Sequence, residues 1–252
     1  MKITSKKLLL WLYPTQLDSG TRYRGRRVSY AQVPVILPEL SEDGRQSLVR
    51  LLEKNRLLHT DQLTGELNLT LSSYGKSQLE ALFPLLKREL DPWQGDWQMI
   101  LFLEPPQSDP SFRYLRSLLL KELCFALKRG VYLFPGQVTE RVTDILNKTY
   151  RDSVVVIKYD TWSFGDELKI IGQKANLHSM ADIYSGISTE LKKLLTKRLS
   201  CKRLTNQQKK AIYSVYDRLF INFSEDIGLI DHYFPQVESG FQLLCQLKDN
   251  LE

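Results

Sequence analysis

Two dense apolar runs constrain this chain more than any other feature. Trp97-Gln98-Met99-Ile100-Leu101-Phe102-Leu103 and Val154-Val155-Val156-Ile157 are short, rich in β-branched and aromatic residues, and read as buried strands. Pro105 and Pro106 end the first. Between the runs, Ser108–Leu127 places Phe112, Leu115, Leu118, Leu119, Leu123 and Phe125 near helical spacing. A tight hairpin over Phe125–Phe134 follows, turning at Lys128-Arg129-Gly130, and then a shorter helix over Gln137–Asn147. The order is β-α-β-β-α-β. An antiparallel sheet with both helices on one face accommodates it, which is the ferredoxin-like arrangement.

The segment before the boundary at Asp91-Pro92-Trp93-Gln94-Gly95-Asp96 has a different pattern. Ser5 is placed to cap a helix through Leu12, stopped before Pro14. Tyr30–Leu40 is apolar but carries Pro34 and Pro38, so any helix there is short or irregular. Ser41 is a good N-cap, with Glu42 and Asp43 in the first turn where the helix dipole favours anions. The helix Ser41–Lys54 buries Leu48, Leu51 and Leu52, and Asn55 is the expected left-handed residue at its end. Leu67, Leu69 and Leu71 then alternate with Asn68, Thr70 and Ser72, a period-two strand. It pairs with Leu57–Gln62 across a turn at Gly65. A helical pattern returns over Ser73–Leu90. Helices followed by a two-stranded hairpin make a winged helix-turn-helix, whose helix before the hairpin enters the major groove of DNA.

After the second apolar run the chain is mostly helical: Leu177–Leu199, Asn206–Asn222 and Val237–Leu251. The expected fold class is α+β, in three domains. Residues 1–90 form a winged helix-turn-helix, 91–172 the ferredoxin-like domain and 173–252 a helical C-terminal domain.

Charge separates these regions. Residues 1–90 hold 14 Lys/Arg against 9 Asp/Glu, whereas 91–252 hold 21 against 20, so nearly all of the +6 net charge lies in the first third. That asymmetry is the footprint of a polyanion-binding module joined to near-neutral domains. Three scattered cysteines and three scattered histidines make no metal-ligand pattern. No Gly-rich phosphate loop or Ser-His-Asp constellation is found, so neither a catalytic residue nor a cofactor or metal is expected. No apolar run approaches the ~18–20 residues that span a bilayer. Met1–Pro14 lacks a small-residue cleavage site and reads as the first helix of a folded domain. No membrane partner and a cytoplasmic location are expected.

Three stretches resemble the PaaX family of bacterial repressors of phenylacetate catabolism. The first runs from Arg45-Gln46-Ser47-Leu48-Val49-Arg50-Leu51 through Asn55-Arg56-Leu57 to Leu69-Thr70-Leu71-Ser72-Ser73-Tyr74-Gly75. The second is Trp93–Phe102 with Gly130-Val131-Tyr132-Leu133-Phe134-Pro135. The third is Asn222–Ile230 with Asp231–Leu244. The resemblance implies a dimeric repressor of operator DNA, released in some members by an aryl-CoA thioester. It also relates the central domain to the small subunit of the CRISPR spacer-integration complex, some of whose relatives are metal-dependent nucleases. This chain departs there: Phe102-Leu103 stands where the family has Phe-Asp, and leucine cannot ligate Mg²⁺.

In this reading Arg45 and Gln46 reach base edges, since arginine bonds guanine and glutamine bonds adenine in pairs. Arg50 and Lys54, with Arg22, Arg24, Arg26 and Arg27, neutralise phosphates. Trp162, Tyr184, Tyr213 and Tyr216 are candidate walls for an aromatic or acyl effector. Two alternatives stay open. One is a metal-dependent nuclease using Glu104 with Asp96 or Asp109; the other is a DNA-binding adaptor without a regulatory role.

Overall fold

The computed structural model describes residues 1–14, 27–63, 65–83, 85–86, 93–104, 109–198 and 205–249. They form a mixed α+β chain with two antiparallel sheets. The chain divides into two units, one of residues 1–89, 182–226 and 237–252, the other of 90–181 and 227–236. The helical stretch expected to stand alone over 173–252 is therefore shared between them.

The first unit is organised around α1 (Ile3–Leu12), which begins two residues before the expected cap; Lys2 stands at its N-cap without a side-chain bond. Leu8 to Tyr13 are all buried, so the helix is covered on every side rather than along one stripe. Two lysines make that possible. Lys7 pairs with Asp217, and its backbone carbonyl accepts a 2.6 Å bond from the Tyr216 hydroxyl. Burial alone would lower the Lys7 ammonium, but the hydrogen bond and charge of Asp217 outweigh it and raise the group above its ordinary value. At the other end Lys248 is fully buried, and its Nζ donates to Leu10 O (3.0 Å) and Tyr13 O (2.7 Å). A helix C-terminus leaves carbonyls without partners and favours a cation, and Lys248 supplies both needs. These contacts hold α9 (Asn206–Phe223) and α11 (Gly240–Asp249) against α1.

The leucine alternation becomes β3 (Glu66–Leu71), paired antiparallel with β2 (Leu58–Leu63) across Gly65, whose φ of +84° suits glycine. A third strand, β1 (Arg27–Ser29), completes the order β1-β3-β2 with Val28 opposite Leu69. It was not expected, since three residues show no periodicity. The proline-bearing stretch is a 3-10 turn (Tyr30–Gln32) and a single helical turn, α2 (Val33–Ile36), with Pro34 in the first turn where a missing N–H costs nothing. Then come α3 (Glu42–Lys54) and, after the hairpin, α4 (Ser73–Leu82). The latter stops well short of Leu90 because Phe83, the residue before Pro84, is extended. Gly75 lets α4 approach the sheet: a Cβ there would lie 2.0 Å from Leu57 O.

The second unit follows the expected element order: β4 (Trp97–Phe102), α5 (Pro110–Lys121), β5 (Phe125–Lys128), β6 (Val131–Pro135), α6 (Glu140–Thr149) and β7 (Val154–Tyr159). The sheet order is β5-β6-β4-β7, with every neighbour antiparallel. Ile100, Phe102, Tyr132 and Phe134 meet Phe112, Leu115 and Leu119 of α5 and Val142 and Leu146 of α6, so both helices cover one face. On the other face Trp97 donates to Glu167 (2.8 Å) at the start of α7 (Glu167–Lys174), and the Tyr233 hydroxyl of α10 (Ile230–Tyr233) donates to the same carboxylate (2.5 Å). Helix α8 (Leu177–Arg198) follows in the chain, and from Asp182 on its residues belong to the first unit.

Candidate nucleic-acid interface

Helix α3 begins as the residues dictate. Ser41 is extended and its hydroxyl accepts from Gly44 N–H at 3.2 Å. Leu48, Val49 and Leu52 face inward, whereas Leu51, expected in the core, is 48% exposed. The left-handed residue after the helix is Arg56 (φ +59°), not Asn55 (φ −82°). Arg56 is exposed, directly before β2.

The polar side chains of α3 divide in two. Arg45, expected to read bases, is turned inward, with its side chain only 14% exposed. Its Nη1 lies 3.5 Å from Leu37 O and its Nε 3.5 Å from Glu42 Oε2. Its aliphatic stem covers apolar surface and its charge is committed within the fold. Glu42 also accepts from the Tyr30 hydroxyl (2.9 Å) and from Gln46 Nε2 (3.3 Å). Burial, with this hydrogen bond, pushes the Tyr30 phenol up to about 12, so it stays a donor. Gln46 itself is exposed, as are Arg50 and Lys54 one and two turns on. Neither cation has an ion pair among the described residues. Glu53, the nearest acid in sequence, accepts from Thr60 N–H of β2 at 3.2 Å instead. The positive charge of this surface therefore sits in the C-terminal half of α3 and at Arg56.

Arg27, in β1, lies 3.3 Å from Asp61 of β2. Arg22, Arg24 and Arg26 lie outside the described residues. The four aromatics expected around an effector are not alike. Tyr184 and Tyr216 are fully buried in the first unit, with hydroxyls bonded to Asp226 (2.8 Å) and to Lys7 O. Tyr213, half-buried, stacks under Lys7 (5.3 Å). Trp162 belongs to the second unit, edge-on to Tyr159.

Of the three acids named for metal chemistry, Glu104 is exposed and the other two are engaged separately. Asp96 pairs with Lys158 (3.3 Å). Asp109 caps α5 through Ser111 N–H (2.8 Å) and accepts from the Tyr150 hydroxyl (2.9 Å). Among the described residues no three His, Cys, Asp or Glu side chains converge as a metal site. No described helix is long and apolar enough to cross a membrane.

Neither the family models nor the curated proteins compared with this chain match it. Among solved structures it is similar to the uncharacterized protein Rv0674 from Mycobacterium tuberculosis. The identity is 14%, with 96% of this chain and 91% of that chain covered and a TM-score of 0.46.

Proposed function

We propose that this chain binds double-stranded DNA through α3 and the β2–β3 hairpin, as a dimeric transcriptional regulator of the winged helix-turn-helix kind. The observation that carries this reading is topological. The order α1, β1, α2, α3, β2, β3 with sheet order β1-β3-β2 supports a winged-helix reading, with α3 as its recognition helix. Its outer surface carries Gln46, Arg50 and Lys54 in solvent, in the third of the chain that holds the basic excess. Gln46 and Arg50 read base edges, and Lys54 and Arg56 neutralise phosphates. Arg45 holds the N-terminal end of α3 in place instead of touching bases. The sequence resemblance to the PaaX repressors adds repression and two-fold pairing to the reading, and the four-stranded sheet order of the second unit supports a ferredoxin-like central domain within it.

The double variant Arg50→Ala/Lys54→Ala tests it. A binding fragment is first selected from random duplexes. The variant should then lose about tenfold or more in affinity, and the slope of log affinity against log salt should fall by about one, for the phosphate contact of Lys54. Unchanged binding with native circular dichroism would remove α3 from the interface.

A further inference from the structure

A second cationic surface lies in the other unit. Helix α5 and the β5–β6 hairpin enclose a cavity of about 350 Å³. Arg113 and Arg116, three residues apart on α5, stand on one side of it, and Lys128 and Arg129 of the hairpin turn on the other. Its apolar lining, the floor between the two elements, is contributed by Phe112, Ala126 and Tyr132, of which the two rings are almost fully buried. The sole acid in the lining is Asp109, and its carboxylate is committed to Ser111 N–H and the Tyr150 hydroxyl.

Arg113, Arg116 and Lys128, like charges from two elements, repel one another unless something negative sits between them. Elsewhere in the same unit two lysines are paired with acids, Lys148 with Asp144 and Lys158 with Asp96. Arg113, Arg116 and Lys128 have no such partner among the described residues. Burial raises the Tyr132 phenol above its ordinary value, while the charges of Arg116 and Arg129 both act to lower it, so the two sides of the cavity bear on one hydroxyl. The shape decides between possible anions. A duplex presents a convex backbone to a flat or projecting cationic surface, whereas this surface is concave with an apolar floor.

From this we infer that the cavity binds a small organic phosphate. Its phosphoryl oxygens are held by the guanidinium forks of Arg113 and Arg116 and by Lys128 and Arg129, and its ring or chain lies against the apolar lining between the two elements. Arginine forks match phosphoryl oxygens in pairs, and a lysine ammonium serves as a movable point charge. The site is independent of the α3 surface.

Isothermal titration of the full chain with ADP, inorganic pyrophosphate and adenosine tests it. ADP should bind, pyrophosphate more weakly and adenosine not measurably. Arg113→Ala/Arg116→Ala should weaken ADP at least tenfold, and Lys128→Gln, changed on the opposite element, should weaken it severalfold. These side chains are exposed, and circular dichroism confirms that the variants fold. Adenosine binding as tightly as ADP would overturn the role of the cations, and ADP no tighter than pyrophosphate would overturn the role of the floor. A duplex that displaces ADP and itself needs Arg113 and Arg116 would reassign the surface to nucleic acid. Arg50→Ala/Lys54→Ala should leave ADP binding unchanged, so the two surfaces fail separately.

Discussion

The two basic regions of this molecule are built in opposite ways. On α3 the cations project from a convex helix, and the acids Glu42 and Glu53 of the same helix are drawn off by Tyr30, Gln46 and Thr60. In the second unit the cations converge on a hollow, and its one acid is spent on capping a helix. A projecting row suits an extended polyanion whose charges lie outside the protein. A hollow suits a compact one that can be surrounded. Net charge alone does not distinguish them: residues 91–252 are nearly neutral in sum, yet they line a cavity with four cations and one acid.

Three substitutions test this contrast. The largest effect is expected from Gly75→Ala. The added Cβ meets the Leu57 carbonyl, which is backbone and cannot rotate away. The change should destabilise the three-stranded sheet by about 3 kcal/mol, at the upper end for overpacking. Urea denaturation should show the loss, and DNA binding should fall while ADP binding persists. Loss of both together would mean that the surfaces share one folding unit.

Arg45→Gln is expected to do less. It removes a half-committed guanidinium and should cost about 1 kcal/mol of stability, the usual value for such a hydrogen-bonded contact. Base preference in a selection experiment should be retained. A changed preferred base would return Arg45 to the interface and blur the division of α3.

Asp109→Asn should be the mildest. The hydrogen bonds from Ser111 N–H and Tyr150 hold the Asp109 carboxyl below its ordinary value. A group depressed in the folded state contributes stability that is complete above the unfolded value near 4 and is lost as pH falls through the lower folded value. The variant should therefore show a shallower decline of Tm below about pH 4, and equal slopes would deny the cap its role. Removing the one negative charge from the cavity should also tighten ADP by about twofold at an exposed site.

Legibility in the sequence followed the strength of local pattern. The alternation at Leu67, Leu69 and Leu71 describes a strand with one buried face and the apolar density of Trp97–Phe102 one with buried residues on both, and both strands lie where expected. The element order of the central unit was readable for the same reason. β1 was not, because Arg27-Val28-Ser29 becomes a strand only when β3 offers it an edge. Nor was the direction of Arg45: an arginine on an amphipathic helix looks solvent-bound until Leu37 and Glu42 are folded against it. The cavity cations were ordinary surface residues in the sequence, 12 positions or more apart between α5 and the hairpin turn.

Local spacing, capping residues and prolines thus determined by themselves where most helices and strands lie, because those choices depend on neighbours within a few positions. Tertiary structure alone decided which helices share a core and which charges converge. Lys248 caps a helix 235 residues earlier in the chain. A contact of that kind depends on distance in space, which no local pattern encodes.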